Sequence, residues 1–121
     1  MIDDSKAIRS ILKKMMESFG FETFEAANGR DAMKCLREMK NCDVVLVDWN
    51  MPVMSGLDFV KELRSIAFFK KTKIMMVTTE SGMSGMKLAL AEGADEYVMK
   101  PFNKEIVFDK LIQLGLLPMK E

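Results

Sequence analysis

Histidine is absent from this 121-residue chain, and that one absence removes a good deal of chemistry. Without imidazole there is no side chain that ordinarily titrates near neutral pH, and no nitrogen to ligate a metal or carry a phosphoryl group. Cysteine is scarce too. Cys35 and Cys42 are the only two; they lack CxxC spacing and cannot complete a zinc site without histidine. They read as reduced cytosolic thiols rather than a redox pair. Charge of one sign is not in excess, since Lys plus Arg and Asp plus Glu both number 18. No global field therefore recruits nucleic acid or anionic lipid. Long apolar runs are also missing: the longest last a few residues, against the ~20 that cross a bilayer. No basic-then-apolar leader opens the chain. A cytoplasmic protein without membrane insertion or a nucleic-acid partner is expected, its chemistry run by carboxylates, lysine, hydroxyls and a borrowed ion.

Apolar residues make up 49% and charged residues 30%, the balance of a single globular domain able to bury a core. Ile8, Ile11, Leu12, Met15, Met16 and Phe19 recur at helical spacing between a capping Ser5 and a terminating Gly20. Phe21 to Ala26 reads as a short strand. Asn28 caps a helix with Ala32, Met33, Leu36 and Met39 on its apolar face. Val44 to Val47 is too apolar for a half-exposed strand and should be covered on both faces. Ser55 with Asp58 resembles a capping box opening a helix through Leu57, Val60 and Leu63. Ile74 to Val77 is a further buried strand, followed by a helix near Ser84 to Glu92 and a brief strand at Glu96 to Met99. Asn103 caps a last helix with Ile106, Val107, Leu111 and Leu114 directed inward, ended by Gly115. No linker, repeat or low-complexity tract interrupts the alternation. Strand and helix in turn imply an α/β fold: a parallel sheet with helices on both faces.

The stretch "VVLVDWNMPVMSG" poses the functional question, because a fully buried strand ends on Asp48. The other strand ends answer it. The opening stub ends on Asp3-Asp4, the strand at 74–77 on Thr78-Thr79, and the one at 96–99 on Lys100. In an open α/β sheet, ligands bind beyond the carboxyl ends of the strands. Capping explains any one of these polar groups, but not a lysine set against three acids. Two carboxylates about 4 Å apart repel by about 4 kcal/mol at an effective dielectric of 20, so three call for a cation. Hard oxygen ligands select Mg²⁺, which keeps waters that a phosphate can displace. Asp48 is the natural nucleophile.

At these residues the chain resembles a response-regulator receiver domain. "VDWNMPVMSGLDFVKELR" and "VTTESGMSGMKLALAEGADEYVMKPF" are similar to stand-alone chemotaxis receivers of the CheY-like kind. The resemblance runs from residue 2 to about 115. It implies a flavodoxin-like, doubly wound, five-stranded parallel sheet of order 2-1-3-4-5 and a single receiver domain over 1–121 without an output domain. It implies further that Asp48 accepts the phosphoryl group from a histidine kinase or a small acyl phosphate. Asp4, Asp48 and the backbone carbonyl of Asn50 would ligate Mg²⁺, with Asp3 acting through water. Lys100 would pair with phosphoryl oxygens, Thr78 would hydrogen-bond one, and Asn50 and Glu80 would flank the hydrolytic water. Tyr97 would be the switch aromatic, and Lys100-Pro101 would be cis. Output to a downstream protein target would run through the face of the fourth helix, last strand and last helix, marked by Met83, Met86, Tyr97 and Lys110. The domain would be a signalling switch, not an enzyme beyond its own phosphorylation and dephosphorylation.

Plainer readings stand beside these. Thirteen methionines at helical spacing are mostly core filling, although Met83, among small residues, is expected to face out, as thioethers suit adaptable surfaces. Trp49 reads as a half-buried rim aromatic. A Mg²⁺-dependent phosphatase or phosphotransferase with an aspartate nucleophile is the alternative function, but it wants an acid where Asn50 stands. A flavin-binding domain would find Asp3-Asp4 repelling its phosphate. A scaffold that has lost phosphorylation would be expected to lack Asp48 or Lys100. One element is out of proportion: Met1-Ile2 is far shorter than the usual five or six residues of a strand, although the order 2-1-3-4-5 makes it central. Residues ahead of Met1, or another chain, would be needed to complete it.

Overall fold

The computed structural model describes residues 1–39, 41–49, 53–79 and 83–117, with the backbone alone at Met83 and Ser84. In chain order these form α1 (Lys6–Ser18), α2 (Gly29–Met39), β1 (Val44–Val47), α3 (Gly56–Arg64), a 3₁₀ turn (Ala67–Phe69), β2 (Lys73–Thr78), α4 (Met83–Glu92), β3 (Glu96–Met99) and α5 (Lys104–Gln113). The capping residues act as their chemistry dictates. Ser5 Oγ accepts from the Ile8 N–H, Asn28 Oδ1 from Asp31, Ser55 Oγ from Asp58 and Asn103 Oδ1 from Ile106, at 2.8–3.3 Å. Each bond satisfies one of the donors that a helix start leaves unpaired.

β1, β2 and β3 form a parallel sheet in that order, with Val45 opposite Ile74 and Met76 opposite Tyr97. Alternation along the strands divides the core in two. Val45, Val47, Ile74, Met76 and Tyr97 pack with Ala32, Met33, Leu36, Phe59, Val60, Leu63 and Ala89 of α2, α3 and α4. Leu46, Met75, Val77 and Val98 pack with Leu12 and Met16 of α1 and Val107 and Leu111 of α5. Apolar residues at every strand position are thus explained by helices covering both faces.

Two expectations are corrected and a third is met in part. Among the described residues the sheet shows three parallel strands between helices, which bears out the parallel α/β fold and leaves the five-stranded order to be proposed. Phe21 to Ala26 is not a strand, and Ile2 makes only isolated parallel bridges to Ala26 and to Val47. A ladder needs consecutive paired residues, and here only single residues pair. Ile106 is 42% exposed instead of inward, and Ile11, counted in the apolar spacing of α1, is 50% exposed. Each lies one position from a fully buried neighbour, Leu12 or Val107, and successive helical residues are about 100° apart.

Candidate functional site

Ile2 and Asp3 make their backbone hydrogen bonds at the carboxyl end of the sheet. Ile2 N–H donates to Leu46 O at 2.7 Å, Asp48 N–H donates to Ile2 O at 2.9 Å, and Asp3 N–H donates to Ala26 O at 3.1 Å. Two residues are therefore enough to hold Asp3 and Asp48 side by side, whatever happens lower in the sheet.

Carboxylate oxygens of Asp3, Asp4 and Asp48 all lie within 4.8 Å of one another. Asp3 and Asp48 are 2% and 8% exposed, whereas Asp4 faces solvent. Lys100 Nζ reaches Asp3 Oδ2 at 2.8 Å and Asp48 Oδ1 at 3.6 Å. Burial pushes the Asp48 carboxyl above its ordinary range, the Asp3 charge adds to this, and Lys100 only partly opposes it. With its acids ionised the cluster carries three negative charges against one positive. A net −2 made of hard oxygens is the donor set and charge that suit a divalent cation such as Mg²⁺.

Several groups fix this geometry. Asp3 Oδ1 accepts the Ser5 N–H at 2.9 Å, so the residue that caps α1 also orients the acid. Arg9 Nη1 donates to the Asp3 carbonyl at 2.6 Å and its Nε pairs with Glu25 at 3.3 Å. Lys100 N–H donates to Thr78 O at 2.8 Å, tying the ends of β2 and β3. Thr78 is fully buried, and the Lys100-Pro101 bond is cis.

Sequence reasoning missed Arg9 and underread Gly56. Gly56 was legible as a turn former, yet its constraint is contact: a Cβ there would lie 2.1 Å from the Asp48 carbonyl oxygen. Its N–H donates to Trp49 O at 2.9 Å, closing the loop under the acid. In that loop Val53 holds φ of +73°, a strained conformation for a β-branched residue. Trp49 is partly buried against the α2/α3 core, and its ring lies 4.0 Å from where a Gly85 Cβ would stand.

The other sequence-derived residues separate. Asn50, Glu80 and the Met83 side chain lie outside the described residues. Met86 is partly buried against the core, and Tyr97 is 6% exposed. Lys110 Nζ pairs with Glu96 Oε1 at 3.2 Å. Among the described residues, the exposed large apolar side chains on these elements are Leu88, Leu90 and Ile106.

Comparison with known proteins accords with this crevice. Residues 1–112 match the model of the response regulator receiver domain. The chain is 39% identical over 112 residues to chemotaxis protein CheY1 of Helicobacter pylori, covering 92% of this chain and 90% of the relative. It is 36% identical to a CheY homolog of Campylobacter jejuni, over 92% and 86% of the two chains. Its fold superposes on Vibrio cholerae chemotaxis protein CheY4 with a TM-score of 0.87, at 36% identity and 93% coverage of both. A receiver domain of Methanospirillum hungatei gives 0.84 at 27% identity, with 94% and 90% covered. An acid cluster at the strand ends, a lysine tied into it and a family match over nearly the whole length agree: this chain belongs to the response regulator receiver domain family and is of the CheY type.

Proposed function

We propose that this receiver domain is a phosphorylation-controlled switch of a chemotaxis-like two-component system, with Asp48 as the acceptor. The observation that carries the reading is the net −2 cluster of Asp3, Asp4 and Asp48, with Lys100 bonded into it at the sheet's carboxyl end. Mg²⁺ held by these acids and the Asn50 carbonyl would neutralise charge on the phosphoryl oxygens and favour the ionised, nucleophilic form of Asp48.

A histidine kinase is the proposed donor. An Asp48 carboxylate oxygen attacks phosphorus, the P–N bond of the donor phosphohistidine breaks, and its electron pair leaves on the imidazole nitrogen. Lys100 turns from Asp3 toward a phosphoryl oxygen, and the Thr78 hydroxyl takes another. Positioning and charge neutralisation are most of what such a transfer needs. In the reverse use of the site, Asn50 and Glu80 flank the water that hydrolyses the acyl phosphate.

The added charge then biases a two-state equilibrium of Thr78 and Tyr97. Output to a protein partner runs through α4, β3 and α5, whose exposed Leu88, Leu90 and Ile106 supply apolar contact around Met83, Met86 and Lys110. The bridges of Ile2 to Ala26 and Val47 support reading the stub as the central position of a five-stranded order 2-1-3-4-5. Among the described residues no helix is long and apolar enough to cross a membrane; the domain is proposed as a cytoplasmic signalling switch, catalysing only its own phosphorylation and dephosphorylation. Intact mass after incubation with Mg²⁺ and acetyl phosphate tests the assignment. The wild type gains one phosphoryl group and Asp48→Asn gains none; a persistent gain in the variant refutes it.

A further inference from the structure

Between α2 and α3 runs a groove of about 450 Å³, lined by Arg30, Met33, Lys34, Arg37, Met54 and Glu62. It shares no residue with the acid cluster or with the face of α4, β3 and α5. α2 supplies three cations, all exposed. At about 100° per residue, Arg30, Lys34 and Arg37 fall within about 60° of one another around the helix. The acids of α2, Asp31 and Glu38, lie about 80–100° from Arg30, on the side away from Met33. Elsewhere Arg9 is matched with Glu25, Arg64 with Asp95, Lys100 with Asp3 and Lys110 with Glu96. Arg30, Lys34 and Arg37 have no ion pair among the described residues, and neither has Glu62, the one acid on the α3 wall. Three positive charges against one negative leave the groove at net +2 on a chain that is neutral overall.

The floor is apolar and deformable. Met33 is buried in the core. The half-buried Met54 lies against Gly29, where a Cβ would come within 2.8 Å of the methionine sulfur. A missing side chain on the first turn of α2 is thus what lets Met54 close the groove, and thioethers adapt to the shape of a partner.

We propose that this groove docks an acidic amphipathic helix of a partner protein. The occupant is argued from charge and spacing. Arg30 to Arg37 spans about 10 Å of helix axis, so carboxylates at i, i+4 and i+7 of a second helix meet the three cations in turn. Leucines on the adjoining stripe then reach the methionine floor, the pattern of helix-in-groove recognition. Complementary charge supplies steering and register. Glu62 confines the partner's acids to the α2 side. An anionic membrane fits less well, because three basic residues without a wider positive field hold lipid only weakly.

The test titrates the 121-residue chain with a fluorescein-labelled helix of alanine and glutamine, bearing Glu at i, i+4 and i+7 and Leu at i+3 and i+10. Anisotropy should saturate, and NMR amide shifts should centre on Arg30, Lys34, Arg37 and Glu62. Arg30→Glu combined with Arg37→Glu should weaken binding at least tenfold, and this variant should bind the Lys-for-Glu peptide instead. Lys34→Glu alone should weaken binding at least threefold, which keeps the test intact if the double variant fails to fold. Glu62→Gln should tighten the acidic peptide at least twofold. Ser in place of Leu, or added salt, should weaken it. The proposal is overturned if millimolar peptide does not bind, if the charge reversals leave binding unchanged, or if the shifts fall on α4, β3 and α5. It is equally overturned if vesicles of phosphatidylserine and phosphatidylcholine bind through Arg30 and Arg37 while the peptide does not.

Discussion

Replacing Asp48 by Asn should make the metal-free protein more stable at pH 7, although it removes the residue on which the proposed function depends. At an effective dielectric of 20, Asp48 repels Asp3 by about 3.5 kcal/mol at the 4.8 Å limit of their separation and attracts Lys100 by about 4.6 kcal/mol at 3.6 Å. Asp4 adds repulsion, weakened because it faces solvent. These Coulomb terms nearly cancel. What remains is the cost of holding an ionised carboxylate at 8% exposure, and burial is the first cause of its raised pKa. Relief of that cost should be worth about 1–2 kcal/mol, or about 4–8 °C in Tm for a domain of this size.

The pH dependence has a definite sign. A folded-state pKa above the unfolded one means the native state binds more protons in that window, so stability falls as pH rises through it. The advantage of Asp48→Asn should therefore be full above the raised Asp48 pKa. It should vanish as pH drops below the ordinary value near 3.8. Mg²⁺ should invert the comparison. The wild type gains about 2.7 kcal/mol at a hundredfold excess over Kd, and the variant, with one ligand fewer, gains less. Thermal melts by circular dichroism from pH 3.5 to 8, with and without Mg²⁺, measure all of this. A variant that melts below the wild type at pH 7 without metal, or a difference indifferent to pH, would refute the burial argument.

Lys100→Ala should keep or tighten Mg²⁺ affinity in calorimetry, since the cluster goes from net −2 to −3, while phosphoryl gain from acetyl phosphate falls. Loss of Mg²⁺ binding with the fold intact would mean that Lys100 organises the acids rather than competing with the ion. Val53→Gly should raise stability by about 1 kcal/mol by relieving a left-handed φ; an unchanged or lower melting temperature would show that the loop imposes no such cost. Gly56→Ala should lower stability by at least about 2 kcal/mol, because its Cβ meets backbone rather than a movable side chain. A variant that melts like the wild type would show that the Asp48 loop shifts freely.

Much of this molecule was legible in one dimension. Helix starts at Ser5, Asn28, Ser55 and Asn103 could be placed because capping is a local hydrogen bond between a short polar side chain and a nearby backbone N–H. β1 and β2 could be placed because strands covered on both faces leave an unbroken apolar signature. The acids and the lysine were legible as a set because the parallel α/β pattern sends every strand's carboxyl end to one side. Contact across the chain was not. Nothing local says that Arg9 would grip the Asp3 carbonyl, or that Gly56 is held against Asp48 rather than merely turning the chain. The orientation of Ile11 and Ile106 depended on a helical phase set by neighbouring elements, not by hydrophobicity. The sequence by itself also exposed the shortness of Met1-Ile2, but not its consequence. Only the tertiary structure decided that Ile2 and Asp3 bond to Leu46, Asp48 and Ala26 beside the acid cluster, because such bonds form only where two backbones lie side by side.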